Sequence, residues 1–155
     1  MTPIVEVVTE QDLSDLLPLV RAYLDFYEVA PSDESMLALS RSLIADPELE
    51  GVQFIARDDD GRAVGFASLF WTWATTRGGR LGVMNDLFVA PEARGTGTAE
   101  ALIEACRERC VQRGAVALEW QTAVDNHRAQ ALYDRVGGQR SDRWLDYTLP
   151  TTLQA

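Results

Sequence analysis

The sequence is poor in the residues that build metal centres and disulfide frameworks. Its 155 residues include one histidine, His127, and two cysteines, Cys106 and Cys110. A single histidine without a Cys/His cluster does not supply a set of metal ligands, so no metal is expected. The two cysteines are four residues apart in a helical pattern, which directs their side chains poorly for a disulfide. We interpret them as small apolar residues on a buried helix face.

Long apolar runs and clustered basic residues are also missing. No run approaches the roughly 20 apolar residues that cross a bilayer, and the segment 1–10 lacks the basic and apolar regions of a signal peptide. We therefore expect a cytoplasmic protein with no membrane partner. The 24 acidic residues outnumber the 14 basic ones, for a net charge of −10, which argues against nucleic acid as a partner. The acidity favours a cationic substrate, although solubility alone would also explain it.

Length and the order of predicted elements indicate a single domain over 1–155. No repeat or linker divides the chain, which is long enough for one sizeable core. Apolar periodicity and turn residues predict strands over 4–8, 52–57, 63–73, 81–89, 115–122 and 144–149. Helices are predicted from about 13, from a cap at Ser32 or Asp33, over about 96–112, and from a cap at Asn126.

This order predicts an α/β sandwich with a mixed, mainly antiparallel central sheet flanked by helices. Pro18 lies within the first helical pattern and removes one backbone donor. We therefore expect a kink there, or two shorter helices.

The segment 85–102 combines a buried strand, a glycine-containing loop and the start of a helix. The loop reads Arg94-Gly95-Thr96-Gly97-Thr98-Ala99. Glycines let the backbone approach a ligand closely, and a helix N-terminus presents free N–H groups and a positive dipole end. The arrangement predicts a diphosphate site. It is neither a Walker loop nor a dinucleotide fingerprint, because no Gly-Lys-Ser/Thr follows and Glu100 stands where the third glycine would be.

Two motifs in order resemble the GCN5-related N-acetyltransferase (GNAT) superfamily. The first is Arg/Gln-x-x-Gly-x-Gly/Ala after an apolar strand end and a nearby proline, matched by Arg94, Gly97, Ala99, Val89, Pro91 and Leu102. The second is Asn-x-x-Ala-x-x-Leu-Tyr, matched by Asn126, Ala129, Leu132 and Tyr133. With Asp25-Phe26-Tyr27 and the run Asn85-Asp86-Leu87-Phe88-Val89, the whole chain is similar to the polyamine and amino-acid acetyltransferase branch.

The resemblance implies an enzyme that moves the acetyl group of acetyl-CoA to a primary amine of a small molecule, by direct attack in a ternary complex. It implies that Leu87, Phe88 and Val89 bind the pantetheine arm like an added strand, beside a backbone N–H that stabilises the developing oxyanion. The loop from Arg94 to Ala99 would hold the diphosphate, and Asn126 would face the pantetheine or the leaving sulfur. Relatives commonly pair through their late strands, so a homodimer is expected.

Three residues are candidates for proton transfer. By the resemblance, Tyr133 is the acid that protonates the leaving thiolate, although its place on an apolar helix stripe also suits a core tyrosine. Asp86 lies in an apolar strand and is a candidate base or amine anchor, with a structural hydrogen-bonding role as the alternative. Some polyamine members have Glu at the position of Asn85. The amide of Asn85 cannot accept the proton that the attacking amine loses, but it could hold a water.

The substrate-side candidates are carboxylates and aromatic rings, which together attract a cation. They are Asp25, Tyr27, Glu28, Trp71, Trp73 and Trp120. Core packing explains each aromatic residue equally well. Strand alternation places Trp71 and Trp73 on one face, so they are expected to share a fate. Alternative functions are a non-catalytic acetyl-CoA-binding module, or acetylation of a protein N-terminus or an amino-sugar antibiotic.

Overall fold

The computed structural model describes residues 2–152, so Met1 and 153–155, the ends of the predicted domain, lie outside the described residues. The chain divides into two compact units, 1–121 and 122–155. The strands of the first unit are β1 Ile4–Val7, β2 Gly51–Arg57, β3 Ala63–Ala74, β4 Gly79–Val89 and β5 Ala117–Glu119. Its helices are α1 Leu13–Phe26, α2 Asp33–Ala45 and α3 Thr98–Arg113. The second unit contains α4 His127–Arg135.

The strands of the first unit form one sheet in the order β1-β2-β3-β4-β5. The first four strands pair antiparallel, and β5 pairs parallel with β4. The parallel pair follows from the crossover through α3, because a parallel neighbour requires a long connection. The predicted mixed, mainly antiparallel sheet is therefore confirmed. Among residues 2–152, no helix is long and apolar enough to span a membrane.

Helices cover both faces of this sheet. On one face, Leu13, Leu16 and Leu19 of α1 belong to the same buried cluster as Ile55 and Phe66. α2 packs beside α1 and against β2. The stripe of α1 recurs at helical spacing, so one side of the helix meets the sheet while Pro18 stays exposed.

On the other face, α3 packs against β2, β3 and β4. It buries the free thiols of Cys106 and Cys110, as the sequence predicted. Burial, followed by the neighbouring Cys110, raises the pKa of Cys106 to about 12. The helix lies so close to β4 that a Cβ added at Gly82 would be 2.4 Å from the sulfur of Cys110. Gly82 therefore permits the close approach of α3 to the sheet.

Pro18 does not divide α1, which is one helix from Leu13 to Phe26, so of the two predicted alternatives the pair of shorter helices is not observed. Packing of the apolar stripe against the sheet offsets the one lost hydrogen bond. The predicted last strand is wrong, since 144–149 has neither strand nor helix assignment. A strand needs a neighbour to satisfy its backbone groups, and no strand of the described residues pairs with this segment.

Candidate active site

β4 carries a β-bulge at Asn85. Ser68 of β3 pairs with Asp86, but the next residue, Leu69, pairs with Met84, so Asn85 is the extra residue. A bulge interrupts the ladder and re-aims the side chains next to it. Asn85 is exposed, and its Nδ2 donates to Oδ1 of Asp86 at 3.1 Å. The bulge thus brings an amide and a carboxylate together in the middle of an apolar strand.

A buried chain of hydrogen bonds leads from α2 across the sheet to Asp86. The hydroxyl of Ser40 donates to Oε1 of Gln53 at 2.6 Å, and Nε2 of Gln53 donates to Oγ of Ser68 at 3.0 Å. Ser68 is fully buried and Gln53 nearly so. Since Ser68 already accepts from Gln53, its own proton is available for the carboxylate of Asp86, with which it forms a hydrogen bond. The chain therefore fixes Ser68 as a donor to Asp86.

Asp86 is a carboxylate whose environment makes it more basic than usual. Burial raises its pKa, and hydrogen bonds with Ser68, Tyr23 and Asn85 only partly offset that effect. Burial also raises the pKa of Tyr23, and the nearby Asp86 raises it further. Tyr23 therefore stays protonated and can donate to the carboxylate. A carboxylate of this kind can anchor an ammonium group or accept a proton from one.

Asp86 and Asn85 line a pocket of about 260 Å³ between α1, α2 and the sheet. The other lining residues are mainly apolar: Leu13, Leu16, Leu17, Val20, Tyr23, Leu24, Pro31, Ser35, Met36, Leu37, Leu39, Ser40, Gln53 and Phe66. The ring of Tyr23 packs edge-on against Phe66 with centroids 5.7 Å apart. The raised-pKa carboxylate thus opens into a concave space large enough for a small molecule.

The loop between β4 and α3 has the predicted strand–loop–helix form. Gly95 and Gly97 both adopt left-handed φ angles, 77° and 85°, which favour glycine. The guanidinium Nε of Arg94 donates to the carbonyl of Val89 at 3.1 Å, and the hydroxyl of Thr96 donates to the carbonyl of Ala93 at 2.5 Å. The first bond holds the loop against the end of β4, and the second lies within the loop.

This loop fits a diphosphate. Gly95 and Gly97 carry no side chain, so a ligand can approach the backbone N–H groups of the loop closely. A Cβ added at Gly95 or Gly97 would meet nothing within 4 Å, so the surface of the loop is open. α3 begins at Thr98, and its first N–H groups have no partner within the helix. The residues from Arg94 to Ala99 therefore supply donors and a positive helix end without needing several cationic side chains.

The edge of β4 that β5 leaves unpaired also suits an extended ligand. β5 pairs with β4 only from Leu81 to Val83. Within the described part of the first unit, no strand lies on that side of β4 between 84 and 89. Backbone groups at a strand edge can hydrogen-bond an added extended chain. Leu87, Phe88 and Val89, the predicted pantetheine residues, lie in this stretch.

Trp71 and Trp73 differ in burial, whereas the sequence predicted the same surroundings for both. Trp71 is buried, and its indole N–H donates to the carbonyl of Pro47 at 2.8 Å. Its ring lies near Gly82 on the α3 face, away from the pocket. Trp73 is 68% exposed, and the guanidinium of Arg80 stacks on it at 4.4 Å. The difference arises because Trp73 is opposite Arg80 near the end of the β3–β4 ladder, where the sheet is less covered.

The remaining substrate-side candidates lie outside the pocket lining. Asp25, Tyr27 and Glu28 are exposed at the C-terminal end of α1, and Tyr27 packs edge-on against Tyr23 with centroids 5.1 Å apart. Tyr27 is thus one ring away from Asp86. Trp120 is half-buried directly after β5. Asp33, another acidic residue of this region, is ion-paired with Arg21.

In the second unit, Asn126 caps α4 as predicted. Its Oδ1 accepts from the N–H of Ala129 at 3.1 Å, so only its Nδ2 can act as a donor toward a ligand. Tyr133 is half-buried on α4. The N–H of Gly138 donates to the carbonyl of Tyr133 at 2.9 Å, which closes the helix at the predicted glycine pair. The roles of Asn126 and Tyr133 toward a ligand stay predictions.

Sequence reasoning missed four polar residues around Asp86: Tyr23, Ser40, Gln53 and Ser68. Two of them interrupt apolar strands, since Gln53 stands between Val52 and Phe54, and Ser68 between Ala67 and Leu69. A polar side chain inside a buried strand requires a partner. That requirement was the available signal that these residues serve the same site as Asp86.

Comparison with known proteins assigns the family. The family model described as Acetyltransferase (GNAT) family matches residues 16–138. An uncharacterized N-acetyltransferase of Bacillus subtilis (strain 168) is 30% identical over 138 residues, covering 89% of this chain and 91% of the relative. A D-amino-acid N-acetyltransferase of Saccharomyces cerevisiae is also 30% identical, over 86% of this chain and 83% of its own. The chain therefore belongs to the GNAT acetyltransferase family.

Solved structures agree on the fold. A probable acetyltransferase superposes with a TM-score of 0.82 at 28% identity, covering 99% of this chain and 100% of the other. An aminoglycoside acetyltransferase, AAC(6')-Iy, bound to a bisubstrate analogue containing CoA, gives a TM-score of 0.82 at 20% identity, over 97% of this chain and 99% of its own. The protein is an acetyl-CoA-dependent N-acetyltransferase. Within residues 2–152, no group of three or more His, Cys, Asp or Glu could hold a metal.

Proposed function

We propose that this enzyme acetylates the primary amine of a small molecule by direct attack in a ternary complex. The observation that carries the proposal is the carboxylate of Asp86, which is half-buried beside a β-bulge, raised in pKa and part of the lining of a mainly apolar pocket. A primary ammonium has an ordinary pKa of about 10.4 and must lose a proton before its nitrogen can attack. A carboxylate with a raised pKa is better suited to accept that proton than an ordinary one.

The proposed step balances within the residues at hand. The amine nitrogen bonds to the acetyl carbon, and its proton passes to Asp86, directly or through a water held by Asn85. The C–S bond breaks, and the departing thiolate takes up a proton; Tyr133 stays the prediction of the sequence for that acid. Leu87, Phe88 and Val89 would bind the pantetheine arm, and the loop from Arg94 to Ala99 would bind the diphosphate. The role of Asn126 toward the pantetheine or sulfur likewise stays a prediction.

Related proteins support an amine acceptor of small size. The yeast relative is named as acting on D-amino acids. A thialysine N-epsilon-acetyltransferase of Caenorhabditis elegans is 26% identical over 92% of this chain. The amine groups of both named substrates belong to small molecules. Action as one domain over 1–155, a homodimer and a cytoplasmic location stay predictions of the sequence, as do roles for Asp25, Tyr27, Glu28, Trp73 and Trp120 in capturing the substrate.

The test is thiol release from acetyl-CoA over a panel of primary amines, amino sugars and peptides with free N-termini. The proposal predicts amine-dependent release with at least one small primary amine, and loss of most of that release in Asp86→Asn. Turnover of peptide N-termini alone would contradict the small-molecule acceptor. Acetyl-CoA binding without release for any acceptor would favour the non-catalytic alternative.

A further inference from the structure

The pocket between α1 and α2 has the character of a binding site for an apolar body rather than for a polar chain. Its walls come from Leu and Val residues of α1 and from Met36, Leu37 and Leu39 of α2. The polar atoms of Ser40 and Gln53, which also line it, are engaged with each other and with Ser68. Apart from the hydroxyl of Ser35, which accepts from Ser32, the walls present mainly hydrocarbon, and polar recognition is concentrated at Asn85, Asp86 and Tyr23.

The charge of the pocket restricts the ligand further. Among the described residues that line it, Asp86 is the one carboxylate, and none is Lys, Arg or His. A single cationic group near Asp86 would therefore be matched by one carboxylate. A ligand carboxylate placed inside the pocket would have no cationic partner among these residues, and a second ammonium placed there would lie against Leu and Val side chains. Placing an unpaired charge against such apolar walls is unfavourable.

The volume sets the size of the apolar body. A cavity of about 150 Å³ lined by apolar side chains is enough to bind benzene. The present pocket, at about 260 Å³, has room for one ring and a short alkyl link. Asp86 lines the same pocket as Leu16, Val20 and Met36, so an amine on that link could contact Asp86 while the ring contacts these apolar side chains.

We propose that the acceptor is a compact monocationic amine with an apolar body, of the arylalkylamine class, bound with its amine at Asp86 and its ring between α1 and α2. The proposal rests on the proposed transfer of acetyl to a small primary amine. It deepens that function by disfavouring two acceptor types, since free amino acids carry a carboxylate and polyamines carry further cations.

Three acceptors of graded charge test this proposal. We expect kcat/KM to be highest for 2-phenylethylamine. For phenylalanine and for spermidine we expect kcat/KM to be lower by at least about tenfold, because each carries a charge that the pocket does not compensate. Calorimetry of 2-phenylethylamine with the intact protein provides a readout of binding that does not depend on turnover. Spermidine or phenylalanine exceeding 2-phenylethylamine would overturn the inference and leave amine acetylation intact. If no amine increases thiol release, the proposed function itself would be overturned instead.

A matched pair of variants on α2 tests the placement. Met36 lines the pocket and is not one of the residues packed in the core cluster, whereas Ala38 is exposed on the same helix and does not line the pocket. Met36→Trp should fill the pocket and weaken 2-phenylethylamine binding by roughly tenfold or more, with acetyl-CoA affinity unchanged. Ala38→Trp should change neither. Equal binding of 2-phenylethylamine by the wild type and Met36→Trp would overturn the placement.

Discussion

Ser68 and Asp86 face each other across β3 and β4, and the hydroxyl of Ser68 accepts from Gln53 at 3.0 Å while donating to the carboxylate of Asp86. This relationship couples a buried polar chain to the basicity of the candidate catalytic group. A hydrogen bond to an ionised carboxylate lowers its pKa. Ser68 therefore acts as a positioning residue, which limits how far burial raises the pKa of Asp86.

Ser68→Ala should move the acidic limb of the pH profile of kcat/KM to higher pH. Removing a donor to the ionised form raises the pKa of Asp86 further, so a higher pH is needed to ionise it. Nε2 of Gln53 also loses its acceptor, which should cost about 1–3 kcal/mol in the free energy of unfolding. Ser42→Ala, on the exposed side of α2 where the hydroxyl donates to the carbonyl of Ala38, serves as the control. An unmoved acidic limb in Ser68→Ala would contradict the coupling.

Gly97→Val should weaken acetyl-CoA binding. Gly97 has φ 85° beside open space, so a β-branched residue strains the loop by about 1–3 kcal/mol and covers the proposed diphosphate position. Gly78→Val is a matched control, because Gly78 also has a positive φ, 65°, and open space, but it lies in the β3–β4 turn at the other end of β4. Calorimetry should show a higher Kd for Gly97→Val alone. Equal affinities would remove the loop from the binding site.

Gly82→Ala should destabilise the protein by about 1–3 kcal/mol, the usual range for overpacking. Its added methyl would lie 2.4 Å from Sγ of Cys110, and a close-packed helix cannot yield easily. Adding Cys110→Ala should restore part of the loss, because it removes the nearest atom while Leu69 and Trp71 remain close. Urea denaturation of both single variants and the double variant measures this coupling. Strictly additive losses would show that the sulfur is not the obstacle.

Tyr133→Phe should lower kcat by roughly 10²- to 10⁴-fold, the range typical of general acid catalysis, with the Kd for acetyl-CoA little changed. The substitution keeps the ring and removes the hydroxyl that would protonate the leaving thiolate. Tyr147→Phe is the control, since Tyr147 is 91% exposed. Steady-state kinetics together with calorimetry separate the two effects. Full turnover in Tyr133→Phe would leave Tyr133 with a packing role only.

Local patterns predicted much of the fold because they depend on neighbouring residues. The cap at Ser32, the turn after Arg57, and the glycine loop before α3 all lie where spacing and turn chemistry indicate. The prediction of a last strand was wrong, because strand formation depends on a pairing partner that the alternation of apolar and polar residues does not reveal. The same limit applies to the short β5, which was predicted over 115–122 and spans Ala117–Glu119.

The site was predicted only in part, for a related reason. Asp86 and Asn85 stood out within one strand, but Tyr23, Gln53 and Ser68 come from three other elements. Their convergence is set by strand register and by the bulge, which no single segment encodes. For Trp71 and Trp73, strand alternation predicts a common face of the sheet, but it does not predict how much of that face α3 covers.

The pH dependence of kcat/KM for wild type and Asp86→Asn tests the central claim most directly. Burial raises the pKa of Asp86, so in the wild type kcat/KM should rise with pH as this carboxylate ionises through its raised pKa. In Asp86→Asn, which cannot take the proton, that limb should vanish and kcat/KM should fall by roughly 10²- to 10⁴-fold. A variant that keeps the same acidic limb and near-wild-type kcat/KM would contradict the assignment of Asp86 as the group that receives the amine proton.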